Sequence, residues 1–247
     1  MSRADAPTPI ETNQQGQTLG RKGLQTRQKL MAAARKLLDV YSPVELTAVS
    51  IAKEAGTSSA SFYMYFEDVR DILYALAGEA AVDMATVHEV VRQLWEPAAL
   101  HRHALGLVQQ FNGVWERQRQ VLRFRNMEAD RGDPRFEALR MSTYVPFIDL
   151  LARQLIAACP KEQVRPTLSQ AFALASVLHA AMERLASTDP AVVARGVGAH
   201  KLNDALAHVI QSVFMAGAPG AAGAAAGAGG VARKAVRKTP AQRKPQT

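Results

Sequence analysis

Apolar residues return every three or four positions through most of the chain. Leu30, Ala34, Leu37, Leu38 and Tyr41 share one face of a first helix. Ser42 and Pro43 end it. Leu73, Leu76, Ala80, Met84, Val87, Val91 and Leu94 alternate by three and four, which predicts one long helix over residues 69–95, stopped before Pro97. Asp133-Pro134, Arg165-Pro166 and Asp189-Pro190 read as further helix starts. Proline suits the first helical position because its missing N–H would have no partner there, and an Asp before it caps the turn. Pro146 falls inside the helix predicted over residues 134–158 and should kink it, opening space in a bundle. Alternation by two between hairpin turns is absent. The pattern predicts about nine helices and an all-α fold.

With 247 residues, 48% of them hydrophobic, the chain is long enough for one or two domains with their own cores. The 30 Lys and Arg outnumber the 22 Asp and Glu, and placement matters more than the total. Residues 21–36 hold six basic side chains and no acid, and residues 216–247 hold another six and no acid. What remains has 18 basic against 22 acidic residues. A mildly acidic body with two basic elements suits a polyanion touched at defined places. Residues 1–20 are polar and aperiodic; residues 216–247 are Gly, Ala and Pro with spaced Arg and Lys. Both are expected to be disordered, the second as a basic low-complexity tail. A lone Cys159 excludes an internal disulfide and a Cys-built zinc site. No apolar run opens the chain, so no secretory signal is expected. Residues 205–232 carry no Lys, Arg, Asp or Glu, yet only Gly, Ala, Pro and one Val follow Met215, and these gain little from lipid. The expectation is a cytoplasmic protein with no membrane partner.

The most informative stretch is residues 47–66. Thr47 is a natural N-cap for a short helix over residues 48–55, and Gly56 suits the positive φ that a helix end needs. A second short helix then starts near Ser58 or Ser59. Ala52, four residues before Gly56, leaves room for two helices to cross. Ile51, Ala55, Phe62 and Tyr65 are placed to form their shared core. Such a pair is a helix-turn-helix. Thr57, Ser58, Ser59, Ala60 and Ser61 at the second helix are all short, so its backbone can approach base edges and phosphates closely. Tyr63 and Tyr65 carry phenol hydroxyls suited to flanking phosphates, and the basic run over residues 21–36 can neutralise the duplex backbone. An ordinary helical corner with no ligand would share the Ala-x-x-x-Gly pattern alone; the combination is more specific.

Residues 25–76 resemble the N-terminal domain of the TetR (tetracycline repressor) family of bacterial transcriptional regulators. The resemblance rests on Thr47, Ile51, Ala52, Ala55, Gly56, Tyr63, Tyr65, Phe66 and Leu73. It implies an N-terminal three-helix helix-turn-helix DNA-binding domain and a C-terminal helical-bundle domain for ligand binding and dimerisation. The expected divisions are an arm over residues 1–20, the DNA-binding domain over 21–68, the bundle over 69–215 and the tail. It also implies a repressor that binds a palindromic double-stranded DNA operator as a homodimer and releases it on meeting a small hydrophobic effector, here unidentified. The expected DNA contacts are Arg21, Lys22, Arg27, Thr47, Thr57, Ser58, Ser59, Ser61, Tyr63 and Tyr65. Two positions depart from the family: Val69, with Glu67 and Asp68 before it, and Ser59 stand where the family often has Lys. That weakens electrostatic anchoring.

In the bundle, His88, Phe111, Trp115, Met127, Met141, Tyr144, Phe147 and His179 are bulky and partly polar. Each taken singly reads as a core residue; the resemblance implies that some line an effector cavity. The last two predicted helices, over residues 166–187 and 198–215, have wide apolar faces. Phe172, Leu178, Met182, Leu202, Leu206, Ile210 and Val213 are the expected dimer contacts in a four-helix interface. Burial within their own monomer is the competing reading. No metal or other cofactor is expected, since His101 and His103 are two apart and share no helix face. No phosphate loop or nucleophile motif argues for an enzyme. A sequence-nonspecific, nucleoid-type DNA-binding protein is the runner-up, favoured by the tail. A ligand-binding bundle without DNA binding is a third reading.

Overall fold

The computed structural model describes residues 14–217. Among them ten α-helices are joined by short turns, and no strand element is present. The amino-terminal part comprises α1 (Arg21–Leu37), α2 (Ala48–Glu54), α3 (Ser59–Tyr65) and α4 (Val69–Asp83). The remainder comprises α5 (Ala85–Arg92), α6 (Leu100–Asp130), α7 (Pro134–Ala157), α8 (Leu168–Ala186), α9 (Pro190–Arg195) and α10 (Ala199–Ala216). The predicted arm is described only from residue 14, and the basic tail beyond residue 217 lies outside the described residues. No described helix is long and apolar enough to cross a membrane.

The single helix expected over residues 69–95 is two helices. α4 stops at Asp83 and α5 starts at Ala85, with Met84 between them at φ −64° and ψ −18°. Thr86 donates its hydroxyl to the Asp83 carbonyl at 2.8 Å, a side-chain bond that competes with the backbone ladder. Trp95 then folds back, and its indole N–H donates to the Val90 carbonyl at 3.2 Å. The helix expected from Pro166 starts later, at Leu168. Thr167 accepts from the Gln170 N–H at 3.3 Å while Gln170 Oε1 accepts from the Thr167 N–H at 3.0 Å, and this reciprocal cap fixes the boundary. Asp133 and Asp189 do cap helices that open on proline, accepting from the N–H groups of Arg135 at 2.9 Å and Ala191 at 2.7 Å. Pro146 lies within α7, where it offers no N–H to the Ser142 carbonyl.

Two apolar cores lie along α6. One gathers Leu30, Ile51, Phe62, Phe66 and Leu73 with Phe124 of α6 and Phe136 of α7. The other gathers Val87, Phe111, Phe147, Leu178 and Ile210. Each buried Leu, Ile or Phe is worth about 1.5–3 kcal/mol against exposure, so both cores are substantial. With 31 residues, α6 is about 46 Å long at 1.5 Å per residue and joins the two. The head formed by α1–α4 is therefore packed directly on the carboxyl end of α6 and the start of α7.

Candidate nucleic-acid interface and regulatory interior

The head places α3 at the surface through a chain of local devices. Thr47 caps α2, its hydroxyl accepting from the Ser50 N–H at 3.0 Å. At the other end, Gly56 takes φ +66°. The Thr57 N–H then reaches the Ala52 carbonyl at 2.9 Å and the Gly56 N–H reaches that of Lys53 at 3.1 Å, closing the helix end in a Schellman turn. Ser58 caps α3, accepting from the Ser61 N–H at 3.1 Å. Ile51, Ala52 and Phe62 are buried where α2 and α3 meet, so α3 has one face fixed and the other free. Asp68 caps α4 in the same way, accepting from the Asp71 N–H at 2.8 Å.

The free face carries Ser58 and Ala60, with Thr57, Ser59 and Ser61 partly exposed beside them. Tyr63 is 55% exposed and Met64 stands next to it. Tyr65 points the other way: it packs against the amino-terminal core, its hydroxyl 3.7 Å from where a Cβ at Gly23 of α1 would stand. Arg21 and Lys22 are exposed at the start of α1, and Thr47 is exposed at the start of α2. Arg27 is folded inward, its guanidinium carbon 5.1 Å over the Phe66 ring and Nη1 3.1 Å from the Met31 sulfur. Burial lowers its pKa below the usual arginine value. Met64 was not singled out by sequence reasoning; its position one residue after Tyr63, away from the buried Phe62 and Phe66, was the available signal. Gln14, from the segment before α1, donates its backbone N–H to the Met64 carbonyl at 3.1 Å.

Two polar joints tie the head to the body. Arg35 donates to Gln118 Oε1 and to Glu79, both at 2.6 Å, and Gln118 donates onward to Asp83 at 2.9 Å. Arg70 of α4 pairs with Glu128 of α6 and, at 2.8 Å, with Asp133 before α7. Arg131 also pairs with Glu128, at 2.9 Å. Glu128 is buried, so its charge relies on these partners.

In the body, six of the eight predicted pocket residues come together. His179 is the hub: its ring centroid lies 4.2 Å from Tyr144, 5.5 Å from Phe147 and 6.1 Å from Phe111. His88 stacks on Phe147 at 6.3 Å, and Trp115 on Phe111 at 6.5 Å. Met127 lies outside this cluster; with Trp115 and Asn126 it lines an open groove. Met141 is exposed.

The cluster contains three residues that sequence reasoning missed: Arg125, Asn126 and Glu183. Arg125 is 1% exposed. It donates through Nε to Asn126 Oδ1 at 3.0 Å and through Nη2 to the Tyr144 hydroxyl at 2.9 Å. Asn126 donates to Glu183 at 2.6 Å. Burial pulls the Arg125 pKa down to about 10, and burial raises that of Glu183. His179 is pushed down to about 4, chiefly by burial and then by the Arg125 charge. Arg125 Nη1, His179 Nε2 and His88 Nε2 are buried with no hydrogen-bond partner among the described residues. The missed signal was an arginine four residues after Val121 and three after Leu122, on the buried stripe of α6.

Of the predicted dimer residues, Leu178, Met182, Leu206 and Ile210 are buried in their own monomer's core. Leu202 and Val213 are partly exposed, and Phe172 is exposed. The outward faces carry other apolar residues: Val177, 68% exposed, with Ala173 and Ala180 on α8, and Val209, 51% exposed, with Ala205 on α10.

Comparison with known proteins agrees with this architecture. Residues 87–219 match the family model described as Tetracyclin repressor-like, C-terminal domain. No curated protein matches the sequence. Among solved structures, Salmonella enterica GusR is 17% identical with a TM-score of 0.56, covering 77% of this chain and 96% of its own. A TetR-like transcriptional regulator from Rhodococcus sp. RHA1 is 21% identical with a TM-score of 0.54, covering 79% and 96%. The SmeT–triclosan complex is 17% identical with a TM-score of 0.54, covering 76% and 90%. At these identities the likeness is one of fold. Together with the family match over more than half the chain and the helix-turn-helix head, it makes this chain a member of the tetracycline repressor-like (TetR) family of transcriptional regulators.

Proposed function

We propose that the chain is a dimeric, ligand-responsive regulator that reads a palindromic operator with two copies of α3. The observation that carries this reading is the free face of α3, where capped, short side chains stand clear of the core while Phe62 anchors the helix from behind. Short side chains let the helix enter a major groove closely; Ser58 and Ser61 supply hydroxyls and Ala60 a methyl for base edges. Arg21, Lys22 and Tyr63 are exposed, and on this reading they meet phosphates. The exposed apolar faces of α8 and α10 support self-association, which a palindrome requires.

Effector binding is assigned to the interior around His179. Triclosan is the compound named in the SmeT complex, and a small, largely apolar molecule suits the Phe111, Phe147 and Trp115 surroundings here too. Arg125 adds a buried donor for one polar group on such a molecule. The groove lined by Trp115, Met127 and Asn126 supplies the approach.

Selection from a pool of random duplexes with the purified chain tests the DNA reading. Enrichment of a palindrome, lost in a Ser58→Glu/Ala60→Glu variant, is the expected result. Enrichment of no sequence, with retention that depends only on ionic strength, would replace it with nonspecific binding.

A further inference from the structure

His101 lies in the first turn of α6, and Asp204 and His208 sit one turn apart on α10. The packing of α10 along α6 brings His101, 103 residues before Asp204 in sequence, up to this pair. One ring nitrogen from each histidine and one carboxylate oxygen all lie within 4.8 Å of one another. His101 Nε2 is 3.1 Å from Asp204 Oδ1, and His208 Nδ1 is 3.6 Å from Asp204 Oδ2. The two imidazole centroids are 4.2 Å apart. His101 Nδ1 is buried, so Nε2 is the nitrogen it presents to the others.

We propose that His101, Asp204 and His208 form a site for a divalent transition metal ion, with zinc as the natural occupant. Two imidazoles and one carboxylate are a borderline donor set, matched to zinc, cobalt or nickel and poorly matched to magnesium or calcium, which take oxygen ligands. Tetrahedral ligands about 2.0–2.1 Å from zinc lie roughly 3.4 Å from each other, so the present separations close by side-chain rotation alone. Asp204 and His208 have room to rotate, and His208 Nδ1 would exchange its 3.0 Å contact with the Asp204 backbone carbonyl for the ion, while His101 is the more enclosed of the three. Three protein ligands leave a position for water. The bound ion would cross-link the beginning of α6 to α10. It does so next to Val209, on the helix face assigned above to dimerisation, yet the site itself stands independently of any DNA reading.

Cobalt(II) titration of the metal-stripped, tag-free full chain provides the test, read by visible ligand-field absorption and by thermal unfolding. One equivalent of cobalt should give saturating four-coordinate bands, zinc should bleach them, and zinc should raise the melting temperature. His208→Ala and His101→Ala should each abolish the bands and the zinc-induced shift, with melting in chelator unchanged for the exposed His208→Ala. His200→Ala, on the same helix but outside the cluster, should retain both signals. Absence of the bands, or bands that survive both His101→Ala and His208→Ala, overturns the proposal.

Discussion

Gly56 shows how a single atom decides the shape of the reading head. Its φ of +66° is in the left-handed region, and a Cβ there would meet nothing within 4 Å. The cost of Gly56→Ala is therefore backbone strain without a clash, about 1–2 kcal/mol. Urea unfolding of that variant should show a loss of this size, and an unchanged midpoint would mean that the turn relaxes freely. His179 makes the second residue-scale prediction. Its folded pKa of about 4 lies below the ordinary histidine value of 6.5, because burial and the Arg125 charge oppose its protonation. Between those values the unfolded chain holds more protons than the folded one, so folding stability rises with pH across that window. The full contribution is present above about pH 6.5 and is lost on acidification toward pH 4, at most about 3 kcal/mol. His88 shifts in the same direction. Denaturation midpoints at pH 7 and pH 5 should therefore differ, and His179→Phe should narrow the difference; equal gaps in the two proteins would refute the assignment. The glycine turn was legible in the sequence because Gly at a helix end has few other uses. Arg125 was not, because a lone arginine is normally solvated and only its place on a buried stripe betrays it.

Between elements, the decisive contacts are polar. Arg70 reaches from the first turn of α4 to the buried Glu128 and to Asp133. Arg70→Ala leaves Glu128 with Arg131 as its remaining ionic partner and should cost about 1–2 kcal/mol, less than the loss of a fully buried pair because Arg70 is half-exposed. A double-mutant cycle with Asp133→Ala measures the coupling, and strict additivity would show that the joint transmits nothing. Helix boundaries show where periodicity falls short. The apolar repeat runs unbroken through Met84, so it predicts one helix; the interruption leaves Ala80, Met84, Val87 and Val91 all buried on one stripe, so periodicity does not see it. The caps at Thr47, Asp133 and Asp189 were legible because their chemistry is local. The side chains of α8 and α10 were harder to sort. Both helices are apolar on two faces, and only packing tells which face the monomer consumes. Leu178 and Ile210 face inward, whereas Val177 and Val209 remain outside.

At the scale of the molecule, that residual apolar surface gives the clearest prediction. Val177→Arg and Val209→Arg should each convert a dimer to a monomer in sedimentation while leaving helical circular dichroism unchanged, since neither side chain is buried within the monomer. A dimer that persists in both variants would place the interface elsewhere. Head and body are not separated by a gap in packing. Phe124 and Phe136 belong to the same core as Ile51 and Phe62, so removing residues after 68 would strip the head of part of its interior.

The length of α6 has a mechanical consequence. Its early turns lie in the core that holds His179, and its last turns lie in the core that holds α2 and α3. A rod of about 46 Å that pivots by about 5° sweeps its far tip through about 4 Å, more than half the pitch of the helix itself. A molecule wedged beside Phe111, about 16 Å from the start of the rod, would thus need to push by only about 1.4 Å to displace by about 4 Å the end on which the head is seated. The protein has the proportions of a lever, with the short arm inside and the long arm at the duplex.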